Sequence, residues 1–375
     1  MEQTVMENEV SYLPPGIIRN ILLRLSVKSL IRFQRVCKDW KNLFKTPSFI
    51  ADHLHRSTQK SPLLVVDSII CRSNPWRLCL LNREMQALEF QNTHITNSFT
   101  SSRVYSSYGL LCVELIGRYQ HSFWLWNPCI RKLIQVPKPL DRGKYSVGFG
   151  FSPIVNDYKI VQLCMSDDLV DQVEVYALRE GLWRAVELRD LEGVSVSGRS
   201  AVTCNGAIFW FGLKEGEEEE DCELVIVSFD IAMEVFTLIP FPNIPLTLES
   251  CFDRLTMYQN KLAMLAPTVV GNPESYLIDL WVLEESTDPS KERWSWTKLY
   301  TSRPNPYRFS ISPIVWRNEI VCSLNSSKPE NHEAKVVFCN ITTDEFKVFT
   351  IPKCGNSSQM FDYVESLVLL DRIEV

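Results

Sequence analysis

A small all-α module followed by a large all-β propeller, closed as six blades, is the fold that the sequence predicts. Three observations predict it. Residues 13 to 56 carry apolar side chains at helical spacing, whereas almost everything after residue 60 alternates strand-like runs with turn residues. The later runs recur in pairs at an interval of about 50 to 56 residues. The first and last of them are incomplete as hairpin pairs, which is how a ring that closes on itself reads.

The helical module opens at Leu13-Pro14-Pro15, with proline in the first turn, where no N–H partner is needed. Ile17, Ile18, Ile21, Leu22 and Leu25 then fall on one broad face. Ser26 interrupts, its hydroxyl suited to capping a second helix that contains Leu30 and Phe33. Val36, Cys37, Trp40, Leu43 and Phe44 continue through a third helix, and Thr46-Pro47-Ser48 ends it. Phe49, Ile50 and Leu54 suit a short fourth. So small a module cannot bury this many large side chains internally. The surplus faces either the following domain or a partner with a complementary groove.

The β region is built from two interleaved series. In one, "FWLWNPCIRKLIQVP" (123–137), "VEVYALREGLWRAVE" (173–187), "VSFDIAMEVFTLIP" (227–240), "LWVLEESTDPSKERWSWTKL" (280–299) and "VVFCNITTDEFKVFTIP" (336–352) each read as strand, polar turn, strand. In the other, "YGLLCVE" (108–114), "GFSPIVNDYKIVQL" (150–163), "VTCNGAIFWF" (202–211), "LTMYQNKLAMLA" (255–266) and "PIVWRNEIVCSL" (313–324) bracket tight turns. The tips are Asn156-Asp157, Asn205-Gly206, Gln259-Asn260 and Arg317-Asn318, of which Asn-Gly is a preferred hairpin turn because both residues tolerate positive φ. Two hairpins per period make a four-stranded unit, the kelch-type propeller signature. "SPLLVVD" (61–67) and "RLCLLNREMQALEF" (77–90) supply three further strands, and "YVESLVLL" (363–370) is assigned as the C-terminal strand that completes the sixth blade. A five-bladed or distorted ring is the competing arrangement.

Composition fits a folded chain: 45% of the 375 residues are apolar and 22% charged. No apolar run approaches the ~20 residues of a membrane-spanning helix. The opening "MEQTVMENEV" is acidic and polar, unlike a signal peptide, so residues 1–12 are expected to be disordered and the chain to reside in the cytosol or nucleus. Twelve cysteines are scattered without a single CxxC pair, so no zinc site is expected and the thiols read as reduced, mostly packed as small hydrophobes. Residues 13–56 carry a net charge of +7, against −10 for residues 57–375. That asymmetry points to an acidic partner or nucleic acid for the head, or simply to a solvated helix face.

Leu13-Pro14, Ile21-Leu22, Val27-Lys28-Ser29-Leu30 and Val36-Cys37-Lys38-Asp39-Trp40 resemble the F-box motif, particularly plant F-box proteins reading LPxxLxxEILxRLPVKSLxRFxxVCKxW. Asn20 and Ser26 depart from the usual Glu and Pro. "GLLC", "WNPCIRKLIQVP", "GFGFSP…NDYKIV" and "VEVYALREGLWR" are similar to the F-box-associated domain (type 1, kelch-like) of F-box/kelch-repeat and S-locus F-box proteins, over most of residues 62–370. The resemblance divides the chain into an F-box at 13–56 and a substrate-binding propeller at 57–375. It implies a substrate-recognition subunit of an SCF (Skp1-cullin-F-box) ubiquitin ligase. Leu13, Pro14, Ile17, Ile21, Leu22, Leu25, Val27, Leu30, Val36, Cys37 and Trp40 would then form the surface for the Skp1-type adaptor. For each of them an internal core role is the alternative. A propeller scaffold independent of any ligase is the rival function.

Catalytic sets are missing from the sequence. It has five histidines, no HExxH, no GxSxG, no phosphate loop and no GxGxxG, so no enzyme activity, metal or cofactor is expected. Gly148-Phe149-Gly150 reads as a bend or a blade contact. "KEGEEEEDCE" (214–223) reads as a solvated insertion or a loop for a basic target, and "VVGNPES" (269–275) and "TSRPNPYRF" (301–309) as other long connections. The head lacks a recognition-helix signature, so nucleic acid is not an expected partner, nor is a membrane.

Overall fold

Four helices form where capping and spacing call for them: α1 (Pro15–Leu22), α2 (Val27–Phe33), α3 (Lys38–Leu43) and α4 (Pro47–Gln59). Ser26 caps α2, its Oγ accepting from Ser29 N at 3.3 Å, and so does locally the work of the absent proline. Cys37 Sγ accepts from Trp40 N at 3.5 Å to start α3, and Thr46 Oγ1 from Phe49 N at 3.4 Å to start α4. α4 is not the short helix of the sequence pattern but spans 13 residues, past residue 56. Tertiary bonds hold it: Arg19 Nη2 donates to Asp52 at 2.6 Å, and buried His53 donates from Nε2 to the Leu25 carbonyl at 2.9 Å.

The remainder is a ring of six sheets. The structure, a computed structural model, describes residues 13–59, 63–68, 77–81, 87–92, 101–117, 121–139, 144–197, 201–216, 222–244, 255–270, 275–286, 288, 290, 292–306, 313–324, 334–351 and 357–370. Residues 1–12, expected to be disordered, lie outside that set, as do residues 217–221 of the acidic run. Blade 1 pairs Ser357–Tyr363, innermost, with Leu63–Ser68, Arg77–Leu81 and Ala87–Asn92. Blades 2 to 6 are antiparallel meanders whose first strands, at the centre, are Ser101–Ser107, Lys144–Ser152, Val202–Cys204, Leu255–Tyr258 and Ile314–Trp316. The innermost strands touch one another in cyclic order, including the return from blade 6 to blade 1.

The closure is as expected, but the closing strand is Ser357–Tyr363 rather than 363–370. "YVESLVLL" is strand-like in composition, yet residues 364–370 form no strand among the described residues, and the Asn127 side chain holds their carbonyls instead. Blade 4 also differs, since its inner edge is split into Val194–Val196 and Val202–Cys204, both paired with Ala207–Glu215.

Six apolar clusters lie one at each blade boundary, and a seventh lies in the helical module. Alternation along a strand sends successive side chains to opposite neighbours: Leu64 joins blade 6, and Val65 joins blade 2. Sheets buried on both faces need apolar residues at both parities, which is why the strands read as apolar runs. Of the nine described cysteines six are buried, and burial raises the Cys112 thiol well above its ordinary value and Cys204 to about 12.

The two sequence series are the two hairpins of each blade. Between first and second strands, Tyr108-Gly109, Asn205-Gly206 and Gln259-Asn260 are two-residue turns with positive φ at both positions. The blade 3 turn is instead four residues, 153–156, and Asp157 already opens the next strand. Between third and fourth strands a second device recurs: Asp230 Oδ1 accepts from Ala232 N and Met233 N, and Asn340 Oδ1 from Thr342 N and Thr343 N. Each of these turns closes on a positive-φ residue, Glu234 or Asp344.

Candidate docking surface

Strand direction alternates within a blade, so the first–second and third–fourth turns open on one face of the ring. The second–third connections and the links between blades open on the other. The helical module sits on the first face. The 3-10 turn Pro128–Ile130, which joins the third and fourth strands of blade 2, packs against α2. The three long connections singled out in the sequence join strand ends on the opposite face.

At 100° per residue, Ile17 and Ile21 share one stripe of α1, while Ile18 and Leu22 share another roughly a quarter-turn away. The broad face read from the sequence is therefore two faces. The inner one buries Leu22 and Leu23, which join Val27, Leu30, Phe44 and Phe49 in one cluster. The outer one leaves Ile17 48% and Ile21 47% exposed, beside Leu13 at 53%, and Val36 before α3 is 62% exposed. Pro14 and Cys37 are also exposed, and Leu25 and Trp40 are half-buried, with Trp40 against Phe33 at 5.6 Å between ring centroids.

Among the residues assigned to docking, Leu22, Val27 and Leu30 are thus fully buried core of the module. They are closed to a partner in this conformation. Their identity as large apolar residues could not separate the two roles; only helix phase does. Leu23, Phe44 and Phe49 complete that core. Half-exposed Leu and Ile side chains retain about 1 kcal/mol each of unrealised apolar burial, so the outer stripe is a surface that gains by being covered.

The core of the module is finished by the ring. Leu367, just past the closing strand, is 2% exposed within the helical cluster, and Cys129 and Ile130 pack on it. Asn127 ties the two together: Oδ1 accepts from Cys129 N at 3.1 Å, while Nδ2 donates to the Ser366 and Val368 carbonyls at 3.1 and 3.0 Å.

On the same face a cavity of about 790 Å³ opens at the centre of the ring. Tyr108, Tyr258, Trp316 and Arg317 line it, Asp362 lies on its blade 1 side, and His55 of α4 forms part of the rim. The Arg317 guanidinium stands 4.0 Å over the Trp316 ring. Burial raises the Asp362 carboxyl above its ordinary value. Among the described residues no three His, Cys, Asp or Glu side chains converge as a metal site, and no helix is long and apolar enough to cross a membrane.

Residues 10–52 match the F-box domain, and residues 64–373 match the F-box associated beta propeller domain. The chain is 26% identical to a putative F-box protein of Arabidopsis thaliana, over 94% of this chain and 99% of that one. It is 22% identical to an F-box/kelch-repeat protein of the same plant, over 99% of this chain and 86% of that one. Among solved structures, a nidogen/laminin complex aligns at TM-score 0.47 and 10% identity, over 82% of this chain and 100% of that chain. An F-box implies binding to a Skp1-type adaptor within an SCF complex, and the F-box/propeller architecture is typical of its non-catalytic substrate-recognition subunits. The chain belongs to the F-box proteins that carry an F-box-associated β-propeller domain.

Proposed function

We propose that this chain is the substrate-recognition subunit of an SCF ubiquitin ligase acting in the cytosol or nucleus. Its outer helical stripe docks the Skp1-type adaptor, and its ring binds a protein target. The observation that carries this reading is the division of labour within the helices. Leu22, Val27 and Leu30 are satisfied internally and by the ring, whereas Leu13, Ile17, Ile21 and Val36 are left outward by the same fold. Half-buried Leu25 and Trp40, with Pro14 and Cys37, complete the proposed surface. The net +7 of residues 13–56 suits an acidic adaptor.

The chain makes and breaks no bond in this reading. Seating the helices directly on the ring fixes the distance between adaptor and target, which raises the effective concentration of target lysines at the transfer centre. The face opposite the helices, where the longer connections open, receives the target. Co-expression with a plant Skp1-type adaptor and size-exclusion chromatography tests the reading. A stable one-to-one complex is expected, and a monodisperse chain that leaves the adaptor unbound would sink it.

A further inference from the structure

We infer that residues 364–370 are a latch that completes the adaptor-docking module, and that Asn127 is the positioning residue that sets it. The inference deepens the ligase reading and rests on it only for its consequence in adaptor affinity.

The latch is held by bonds rather than by a strand ladder. Asn127 is fully buried at the end of His121–Asn127, and its Nδ2 faces three acceptors: the Ser366 carbonyl, Ser366 Oγ at 3.2 Å, and the Val368 carbonyl. Ser366, also fully buried, donates from Oγ to the Gly109 carbonyl at 3.0 Å. Gly109 has φ +80°, and a Cβ there would stand 2.3 Å from Ser366 Cβ, so the segment lies directly on that backbone. Tyr363 donates from its hydroxyl to Cys129 Sγ at 3.2 Å, fastening the strand end to the turn that packs against α2.

The comparison with the other blades separates two tasks of Asn127. Asp230 of blade 4 and Asn340 of blade 6 build the same kind of turn with a side-chain oxygen alone. A carboxylate is sufficient for that. The amide N–H groups are needed where residues 364–370 cross blade 2, and there Asp would present an acceptor to two carbonyls and to a hydroxyl whose proton is already given to Gly109.

Leu367 follows the closing strand by four residues and fills the core of helices more than 300 positions earlier in the chain. The module therefore reaches its docking-competent packing only when Ser357–Tyr363 has paired with Leu63–Ser68. Ring closure and assembly of the ligase arm become one event, and a receptor with an open ring presents an unfinished arm. By linkage, adaptor binding must in turn stabilise the latch by the factor with which the latch favours adaptor binding.

The test uses the full chain with Asn127→Asp and Leu367→Ala, read by amide hydrogen exchange and by adaptor titration. Asn127→Asp is expected to speed exchange about tenfold in 364–370 and in α2, to leave Lys261–Val270 of blade 5 at wild-type rates, and to weaken adaptor binding about tenfold. Leu367→Ala keeps the Asn127 bonds and is expected to speed exchange in the helices with a similar loss of affinity. In the wild type, saturating adaptor is expected to slow exchange in 364–370. Wild-type exchange of 364–370 and α2 in Asn127→Asp would overturn the latch, as would an equal rise in blade 5. Should Asn127→Asp not fold, wild-type helix exchange in Leu367→Ala overturns it instead. A chain that ignores the adaptor overturns the ligase reading, while the exchange rates still judge the latch.

Discussion

The Trp183 indole donates to the Pro137 carbonyl across the boundary of blades 2 and 3, at 2.7 Å, and Trp296 repeats the bond to Pro240 between blades 4 and 5, at 2.9 Å. Each tryptophan sits in an outermost strand, and each proline at or just past the end of the preceding one. Proline ends such a strand because it cannot donate to a ladder, and its carbonyl stays open to a neighbour. Trp183→Phe keeps an aromatic ring near Tyr176, whose centroid is 5.5 Å away, and loses only the bond. The expected cost is about 1 kcal/mol, or about 2 °C in melting temperature. Trp183→Ala loses the packing as well and is expected to cost about 3 kcal/mol. Thermal melts of the two variants check the order; a wild-type melting temperature in Trp183→Phe would mean that the hydrogen bond contributes nothing.

At Gly148 and Gly150 blade 4 packs directly on the blade 3 backbone. A Cβ on Gly148 would stand 2.4 Å from Trp210 Cζ2 and 2.5 Å from Ile208 Cγ2, and one on Gly150 would stand 2.5 Å from Ile231 Cδ1. Trp210 and Ile208 are fully buried and have nowhere to retreat. Gly148→Ala is therefore expected to destabilise by about 1–3 kcal/mol through overpacking. Gly181→Ala has open space around its Cβ, so its φ of +72° limits the expected loss to about 1 kcal/mol. Denaturant titration of both compares contact with conformation; a Gly148→Ala midpoint at the wild-type value would remove the close-packing argument.

The blade contact at Gly148 was legible in the sequence, as were both hairpin series, because short-range chemistry marks them. Asn205-Gly206 names its turn type, whereas the side-chain bonds that build the turns at Asp230 and Asn340 emerge only in the structure. Ser26 was legible as a cap for the same local reason. The fate of "YVESLVLL" was not, because Leu367 and Leu370 enter two different clusters and Ser366 is held by an amide 239 positions away. No periodicity records such a crossing. The split of α1 into an inner and an outer stripe was hidden too, since Ile17 and Leu22 differ only in helix phase. The seating of α4 was hidden as well, since Asp52 and His53 find their partners, Arg19 and Leu25, on other elements or between them.

Glu234, on the outer turn of blade 4, receives Lys159 and Arg184 of blade 3. Burial alone would raise its carboxyl, but the hydrogen bonds from Arg184 and Lys159 outweigh that and hold it below the ordinary 4.5. A carboxyl depressed in the folded state contributes stability that is fully present above the unfolded value. That stability is lost as pH falls below about 4.5 toward the folded value. Lys159 is itself buried and also donates to the Ile231 carbonyl at 2.6 Å, so Glu234→Gln leaves a buried ammonium without its counter-charge. The variant is expected to lose about 2–4 kcal/mol at pH 7, and the gap to the wild type is expected to narrow as pH is lowered below about 4.5. Urea midpoints from pH 7 to pH 3.5 measure the gap. A constant gap across that range would show that the charge of Glu234 is not what stabilises the contact.

Ile21 and Leu22 are neighbours in sequence and opposites in exposure, at 47% and 1%, which makes them a matched pair for separating docking from folding. Leu22→Asp buries a carboxylate among Leu23, Val27 and Leu30 with no described partner in that cluster, and is expected to unfold the helical module. Loss of adaptor binding in that variant therefore says nothing about the docking surface. Ile21→Asp puts the charge on the outer stripe, where water can solvate it, and is expected to leave helix content and melting temperature within about 0.5 kcal/mol of the wild type. If the stripe of Leu13, Ile17, Ile21 and Val36 is the docking surface, the same variant loses adaptor binding by about 2 kcal/mol or more, because the carboxylate must be desolvated against an apolar partner. Circular dichroism and adaptor titration on the two variants give four readings. Full adaptor affinity in Ile21→Asp with its helices intact would move the docking surface away from α1.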